Sequence, residues 1–239
     1  MTELSCGPAR RPTIPRIKQR RANRGSQRWL QLLVNQRPEL FAREFLPRIG
    51  YAPGEPIQWL SPRESDSYAE YQDESFLEAL GIKAGKPSLI DFWPRLGPVW
   101  DGLAVGPRGE PILVEAKAHI PEMYSPACSA REVSLARIRR TLTEVKKAVG
   151  STSKHDWSGP FYQYTNRLAH LYFLRTLNRI PAHLVFLYFV NARDVRGPSS
   201  VAEWEGAIEL VRAILGLRKT GIGRYVEHLF VDADALQTA

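Results

Sequence analysis

The sequence predicts a mixed α/β protein, a β-sheet with helices laid over it. Three observations lead there. Short apolar runs bounded by Gly and Pro alternate with segments whose apolar residues recur at steps of three and four. The order along the chain is helix, three strands, two helices, strand, helix, strand. The composition, 44% hydrophobic and 24% charged over 239 residues, is ordinary globular usage and excludes a wholly disordered chain, a collagen or a coiled-coil rod. A chain of this length buries a core without metal or disulfide staples.

Residues 1–26 are rich in Pro, Arg and Gly, show no periodicity and are expected to be an unstructured arm. Residues 29–45 read as helical through Trp29, Leu32, Leu33, Leu40, Phe41 and Phe45, with Pro38 breaking the helix in two. Residues 47–63 read as a connection, so that 27–63 form an N-terminal helical extension. An acidic helix is expected over 66–80, stopped by Gly81. Three strands follow over 87–93, 99–105 and 111–119, the last two joined through residues 106–109, whose two glycines and proline suit a hairpin.

Ser129 and Glu132 then form a capping-box pattern, with Gly150 just past the end of the helix they open. Its apolar face is Leu135, Ile138, Leu142, Val145 and Val149. Another helix runs over 162–178. Residues 183–191 form a continuous apolar strand of the kind buried on both faces. Ser200 and Glu203 cap a helix using Trp204, Ala207, Ile208, Val211 and Leu215, and residues 225–231 make the last strand. The organisation expected is one domain over 27–239, with its core at 64–191 and a C-terminal helix and strand at 192–239.

The formal charge of +8 is unevenly placed. Residues 1–28 hold eight basic side chains and one acidic one, so the arm carries nearly all of the excess and the body is close to neutral. Such an arm suits nucleic acid through counterion release, and equally suits a solvated terminus. The two cysteines, Cys6 and Cys128, form no CxxC, and the five histidines lack zinc spacing. No apolar stretch is long enough to span a membrane, and no secretory signal is visible, so a reducing, cytoplasmic setting is the default expectation.

The chemistry concentrates on the third strand. Side chains alternate between faces. Ile112, Val114, Ala116 and Ala118 therefore share an apolar face, while Leu113, Glu115, Lys117 and His119 share the other. Charged groups on a buried strand need partners or a metal. On the second strand Asp101 interrupts an apolar run, and antiparallel pairing would bring it beside Glu115. Two facing carboxylates repel unless something positive lies between them. A hard divalent cation, Mg²⁺ or Mn²⁺, fits oxygen donors of this kind. Lys117 would then orient the attacking water, help it lose a proton or offset charge in the transition state.

Asp101 followed by Glu115, Ala116 and Lys117 on the next strand resembles the PD-(D/E)XK nuclease superfamily, the restriction-endonuclease-like fold. The family core of helix, three antiparallel strands, helix and strand is similar to the order of elements over residues 66–191. The resemblance implies phosphodiester hydrolysis of nucleic acid, DNA foremost, with Mg²⁺ or Mn²⁺. It implies Asp101 and Glu115 as metal ligands, the Ala116 carbonyl as a further ligand and Lys117 as the catalytic lysine. It also implies a carboxylate from the preceding helix, for which Glu70 is favoured over Asp73 and Glu74. Residues 97–101 with 115–122 look like a group of uncharacterised bacterial proteins of that superfamily, a likeness covering most of the chain after residue 60. Trp100 stands before Asp101 where the family name has Pro, which here is Pro98. A second match, Glu144, Val145 and Lys146, lies within the amphipathic helix, where residues two apart do not face each other.

Around this set, His119 suits either phosphate contact or a strand-end bond to backbone. Gln163, Arg167 and His170 recur at helical spacing and suit either the site or a solvated face. Superfamily members often bring a polar residue from this region into the site. The basic face of the 130–149 helix, with Arg137, Arg140 and Lys147, is a candidate phosphate-binding surface. Trp100 reads as core. A homodimer would suit double-strand cutting, and no residue indicates one. Two other readings stand beside a nuclease: a non-catalytic nucleic-acid-binding module of the same fold, and a metal-dependent hydrolase of a smaller phosphoester.

Overall fold

The computed structural model describes residues 15–237. It is a mixed α/β structure with a five-stranded sheet in the order β1(Gln58–Ser61), β2(Gly102–Val105), β3(Pro111–Lys117), β4(His183–Val190), β5(Val226–Asp232). The first three strands are antiparallel and the last two run parallel to β3. Seven α-helices lie around it: α1(Gly25–Gln36), α2(Pro38–Phe45), α3(Glu74–Ala79), α4(Leu89–Phe92), α5(Glu132–Ala148), α6(Tyr162–Tyr172) and α7(Val201–Leu215).

The sheet separates two cores, and β3 shows why. Ile112, Val114, Ala116 and Ala118 pack with Trp29, Leu33, Phe41 and Phe45 of α1 and α2. Leu113 faces the other core, which holds α5, α6 and α7 through Leu142, Leu168 and Trp204. The period-two alternation of one strand thus assigns a helical layer to each face. Residues 27–63 are therefore no appendage: α1 and α2 cover one whole face, and β1 extends the sheet beyond β2. Pro38 stands at the first position of α2, where its missing N–H is harmless.

Several expectations need correction. The 66–80 helix is reduced to α3, because Ser67, Tyr68 and Asp73 adopt positive φ and break the helical path. Glu70 and Tyr71 instead lie in extended bridges to Ile17 and Trp100. Residues 87–93 are not a strand; Ser88 and Asp91 make a reciprocal capping box that opens α4. The strand missing from that stretch is β1, inside what reads as a connection. Ser129 does not cap α5, whose N-cap is Arg131 without a side-chain bond. The helix expected over 162–178 passes from α6 into a π-helical turn, Phe173–Leu177. Ser200 does cap α7, accepting from the Glu203 N–H.

The arm also departs from expectation where it is described. Ile17 exchanges both backbone hydrogen bonds with Glu70, Arg16 pairs with Asp66, and Gln31 holds the backbone at Arg20 and Ala22. Residues 1–14, with Cys6, Arg10 and Arg11, lie outside the described residues. No helix among the described residues is long and apolar enough to cross a membrane.

Candidate active site

The site forms where β2 leaves β3. The two strands are in register at Gly102 and Val114, and continuing that register by one residue sets Asp101 opposite Glu115. Gly102 keeps the strands close there, since a Cβ would lie 3.2 Å from the Trp59 ring and 3.3 Å from the Val114 Cβ. Freed from pairing, Asp101 uses its carboxylate as the ladder partner: Oδ2 accepts the Ala116 N–H at 2.8 Å. In an antiparallel pair, the N–H and C=O of a residue share one edge. The Ala116 carbonyl therefore faces the same edge as the Asp101 carboxylate.

Glu115 is 1% exposed and Lys117 8%. Lys117 Nζ donates to Glu115 Oε1 at 2.5 Å and to Gln163 Oε1 at 2.8 Å. Arg167 Nε donates to Glu115 Oε2 at 2.6 Å, and its Nη2 to the Val99 carbonyl at 2.8 Å. Gln163 and Arg167 lie four apart on α6 and thus on one face of it. Asn166 completes the clamp, its Oδ1 accepting from Arg167 Nη1 at 3.0 Å. The Arg167 guanidinium also lies over the Trp100 ring, 4.9 Å from its centroid. Trp100 is fully buried and belongs to the core, as its apolar surroundings in the sequence indicate.

The cations are unequally shared, and the carboxyls titrate accordingly. Burial disfavours ionised Glu115, but Arg167 and Lys117 outweigh it and hold the carboxyl below its ordinary range. Among the described residues Asp101 gains only the Ala116 backbone N–H as a direct hydrogen-bond partner. Burial, reinforced by the charge of Glu115, pushes it up to about 7. Burial also opposes the Lys117 ammonium, yet Glu115 and Asp101 raise it above the ordinary lysine value. Lys117 is therefore a cationic donor at neutral pH and no general base.

Other expected residues fall elsewhere. Glu70 is in an extended segment, and both its oxygens are occupied, by Gln19 Nε2 at 2.9 Å and Gln27 Nε2 at 3.2 Å. Burial raises its carboxyl, and Glu115 adds to that at longer range. Among the described residues no group of three His, Cys, Asp or Glu is clustered so as to hold a metal. Asp73 accepts from the Leu96 and Gly97 N–H groups and is structural; Glu74 is exposed.

His119 is half-buried and pairs with the Glu122 carboxylate at 2.7 Å, a side-chain partner in place of the expected bond to backbone. His170 is buried among Phe76, Trp93 and Trp100, 2.8 Å from the Asn166 carbonyl, and burial lowers it to about 3. The face carrying Arg167 and His170 is thus buried, not solvated. Arg140 and Lys147 are exposed on the outer side of α5, and Arg137 donates to the Ile90 carbonyl, so the basic face of that helix is not gathered at the carboxylates. The second motif match sits on α5 with Val145 in the core and Lys146 bonded to the His155 carbonyl.

The donor chemistry fits a divalent cation. Asp101, Glu115 and the Ala116 carbonyl are all oxygen donors at one strand edge. The Asp101 carboxyl is raised first by burial and then by the charge of Glu115, which Lys117 and Arg167 only partly offset. Sequence reasoning did not find Arg167 as the clamp on Glu115, or Asn166 behind it. The signal available was an arginine one helical turn after Gln163, which also fits a solvated face. No family model, curated protein or solved structure matches the chain.

Proposed function

We propose that this protein hydrolyses phosphodiester bonds in nucleic acid, with DNA the first substrate to test, using Mg²⁺ or Mn²⁺ at Asp101, Glu115 and the Ala116 carbonyl. The restriction-endonuclease-like arrangement is part of the same reading. The observation that carries it is the hydrogen bond from the Ala116 N–H to Asp101, which brings the second carboxylate to the strand edge that also bears Glu115 and Lys117. A salt bridge between Lys117 and Glu115 alone would not account for the half-buried Asp101 beside them.

When bound, the cation would supply Lewis-acid polarisation of a phosphoryl oxygen and a lowered pKa for the attacking water. The chain's own residues do the rest. Asp101 must lose its proton to serve as a ligand, which its carboxyl does near neutrality. Arg167 fixes the Glu115 carboxylate in one orientation. Gln163 holds the Lys117 ammonium where it can donate to a phosphate oxygen as charge builds in the transition state.

The test is cleavage of supercoiled plasmid with Mg²⁺ or Mn²⁺ beside Lys117→Ala purified identically. Nicking or linearisation by the native chain, absent in the variant and in chelator, is the expected result. Equal activity in both proteins overturns the assignment. The smaller-phosphoester reading draws on the near-neutral charge of the chain after residue 28. Turnover of a chromogenic phosphodiester without any cleavage of nucleic acid would favour it.

A further inference from the structure

A groove of about 950 Å³, counted to its open mouth, lies between the loop after α4 and the starts of α5 and α6. Its enclosed part, about 480 Å³, falls within the roughly 300–1,000 Å³ range of small-molecule sites. Its walls are Trp93, Arg95 and Leu96 on one side and Cys128, Arg131 and Tyr162 on the other, and no lining residue is acidic. Both walls belong to elements that build the candidate active site. The first leads through Gly97 and Val99 to Asp101, and Arg167 grips it at the Val99 carbonyl. The second joins the start of α5 to Tyr162, the first residue of α6, which precedes Gln163, the partner of Lys117.

We infer that this groove holds an unpaired stretch of the substrate strand next to the scissile phosphate, an inference that rests on the nuclease reading above. Arg95 and Arg131 are both exposed at its rim, placed for backbone phosphates, and the half-buried Tyr162 offers a ring to a base. Leu96, 83% exposed at a positive φ of 67°, is held in that conformation by Asp73, which accepts from its N–H at 3.1 Å and from that of Gly97 at 2.9 Å. The brace keeps an apolar side chain presented to whatever occupies the groove.

The depth of the carboxylates selects an unpaired strand over a duplex. Glu115 is 1% exposed, and the enclosed space beside it is only about 10 Å³. A duplex is a stiff rod, and sinking one of its phosphates between two walls requires bending it at an elastic cost. A single strand, flap or frayed end avoids that cost.

The test is fluorescence anisotropy of the full chain in chelator, so that cleavage plays no part. The probes are a labelled mixed-sequence single-stranded DNA and the same strand in a blunt duplex, at one salt concentration. The single strand is expected to bind about tenfold or more tighter. Arg95→Glu combined with Arg131→Glu should weaken single-strand binding about tenfold, with an unchanged melting temperature and unchanged duplex binding. Tyr162→Ala should weaken single-strand binding severalfold without any change in the salt dependence. Equal or tighter binding of the duplex overturns the inference, as does a charge reversal that weakens both forms alike or neither. If neither oligonucleotide binds, the inference also fails, while metal-dependent plasmid nicking lost in Lys117→Ala would leave the nuclease reading standing.

Discussion

Arg167 Nε donates to Glu115 Oε2 at 2.6 Å across 52 residues of chain, inside a core where the arginine side chain is 4% exposed. The two charges are desolvated together with Lys117, which takes the other oxygen of the same carboxylate. One acid therefore holds two cations while its neighbour Asp101 has a backbone N–H, and this inequality organises the chemistry of the site.

Arg167→Ala leaves Glu115 short of one partner and removes the guanidinium from the Trp100 ring. Breaking a buried ion pair at one end costs about 3–5 kcal/mol. Urea unfolding should show a loss of that size, and Glu115→Gln combined with Arg167→Met should recover part of it. A loss no larger than that of a surface substitution would remove Arg167 from its clamping role.

Asp101 makes stability depend on pH in a direction that can be checked. Its carboxyl rises from an ordinary 3.8 to about 7 in the folded chain. Between those values the folded state holds a proton that the unfolded chain has released, so this group lowers stability as pH rises through that window. Asp101→Asn removes the effect and still offers an oxygen to the Ala116 N–H. The variant should match the native chain below about pH 4 and melt higher than it at pH 8, by differential scanning calorimetry. Mg²⁺ should raise the native melting temperature at pH 8 and leave the variant unchanged.

The same proton shapes the rate. If the site works with Asp101 ionised, kcat/KM below about pH 7 should climb close to tenfold per unit and then level off. Lys117, raised above the ordinary lysine value, contributes no inflection near neutrality. Lys117→Ala should abolish turnover while leaving metal-induced stabilisation in place. Gln163→Ala should lower kcat with little change in KM, and His119→Ala should leave both near native values. A large kcat loss in His119→Ala would bring that residue back to the site.

Truncation to residue 27 should lower the melting temperature as well as the salt dependence of DNA binding. It removes the Ile17 bridge to the Glu70 backbone, the Gln19 bond to the Glu70 carboxylate and the first two residues of α1. Unchanged thermal unfolding would show that these contacts add nothing to the folded state.

Much of this arrangement was legible before any coordinates. Alternation along residues 112–118 separated an apolar face from one bearing Glu115 and Lys117, and the structure puts those faces in different cores. The turn at residues 106–109 predicted the hairpin that brings Asp101 across from Glu115. These features are local: strand period, turn chemistry and short sequence separation suffice to read them.

What only the tertiary structure decided depends on packing between distant segments. Residues 87–93 are as apolar as a strand, yet a four-residue capping box makes them helical, and the sheet edge goes to residues 58–61 instead. Glu70 shares its acidity with Asp73 and Glu74, and only the pairing of Ile17 with its backbone and of two glutamines with its carboxylate separates it from them. Arg167 follows a helical spacing that fits solvent or core equally well. Its choice of Glu115 is made by the docking of α6 on the sheet, because periodicity gives the face of a helix but not the partner that the face will meet.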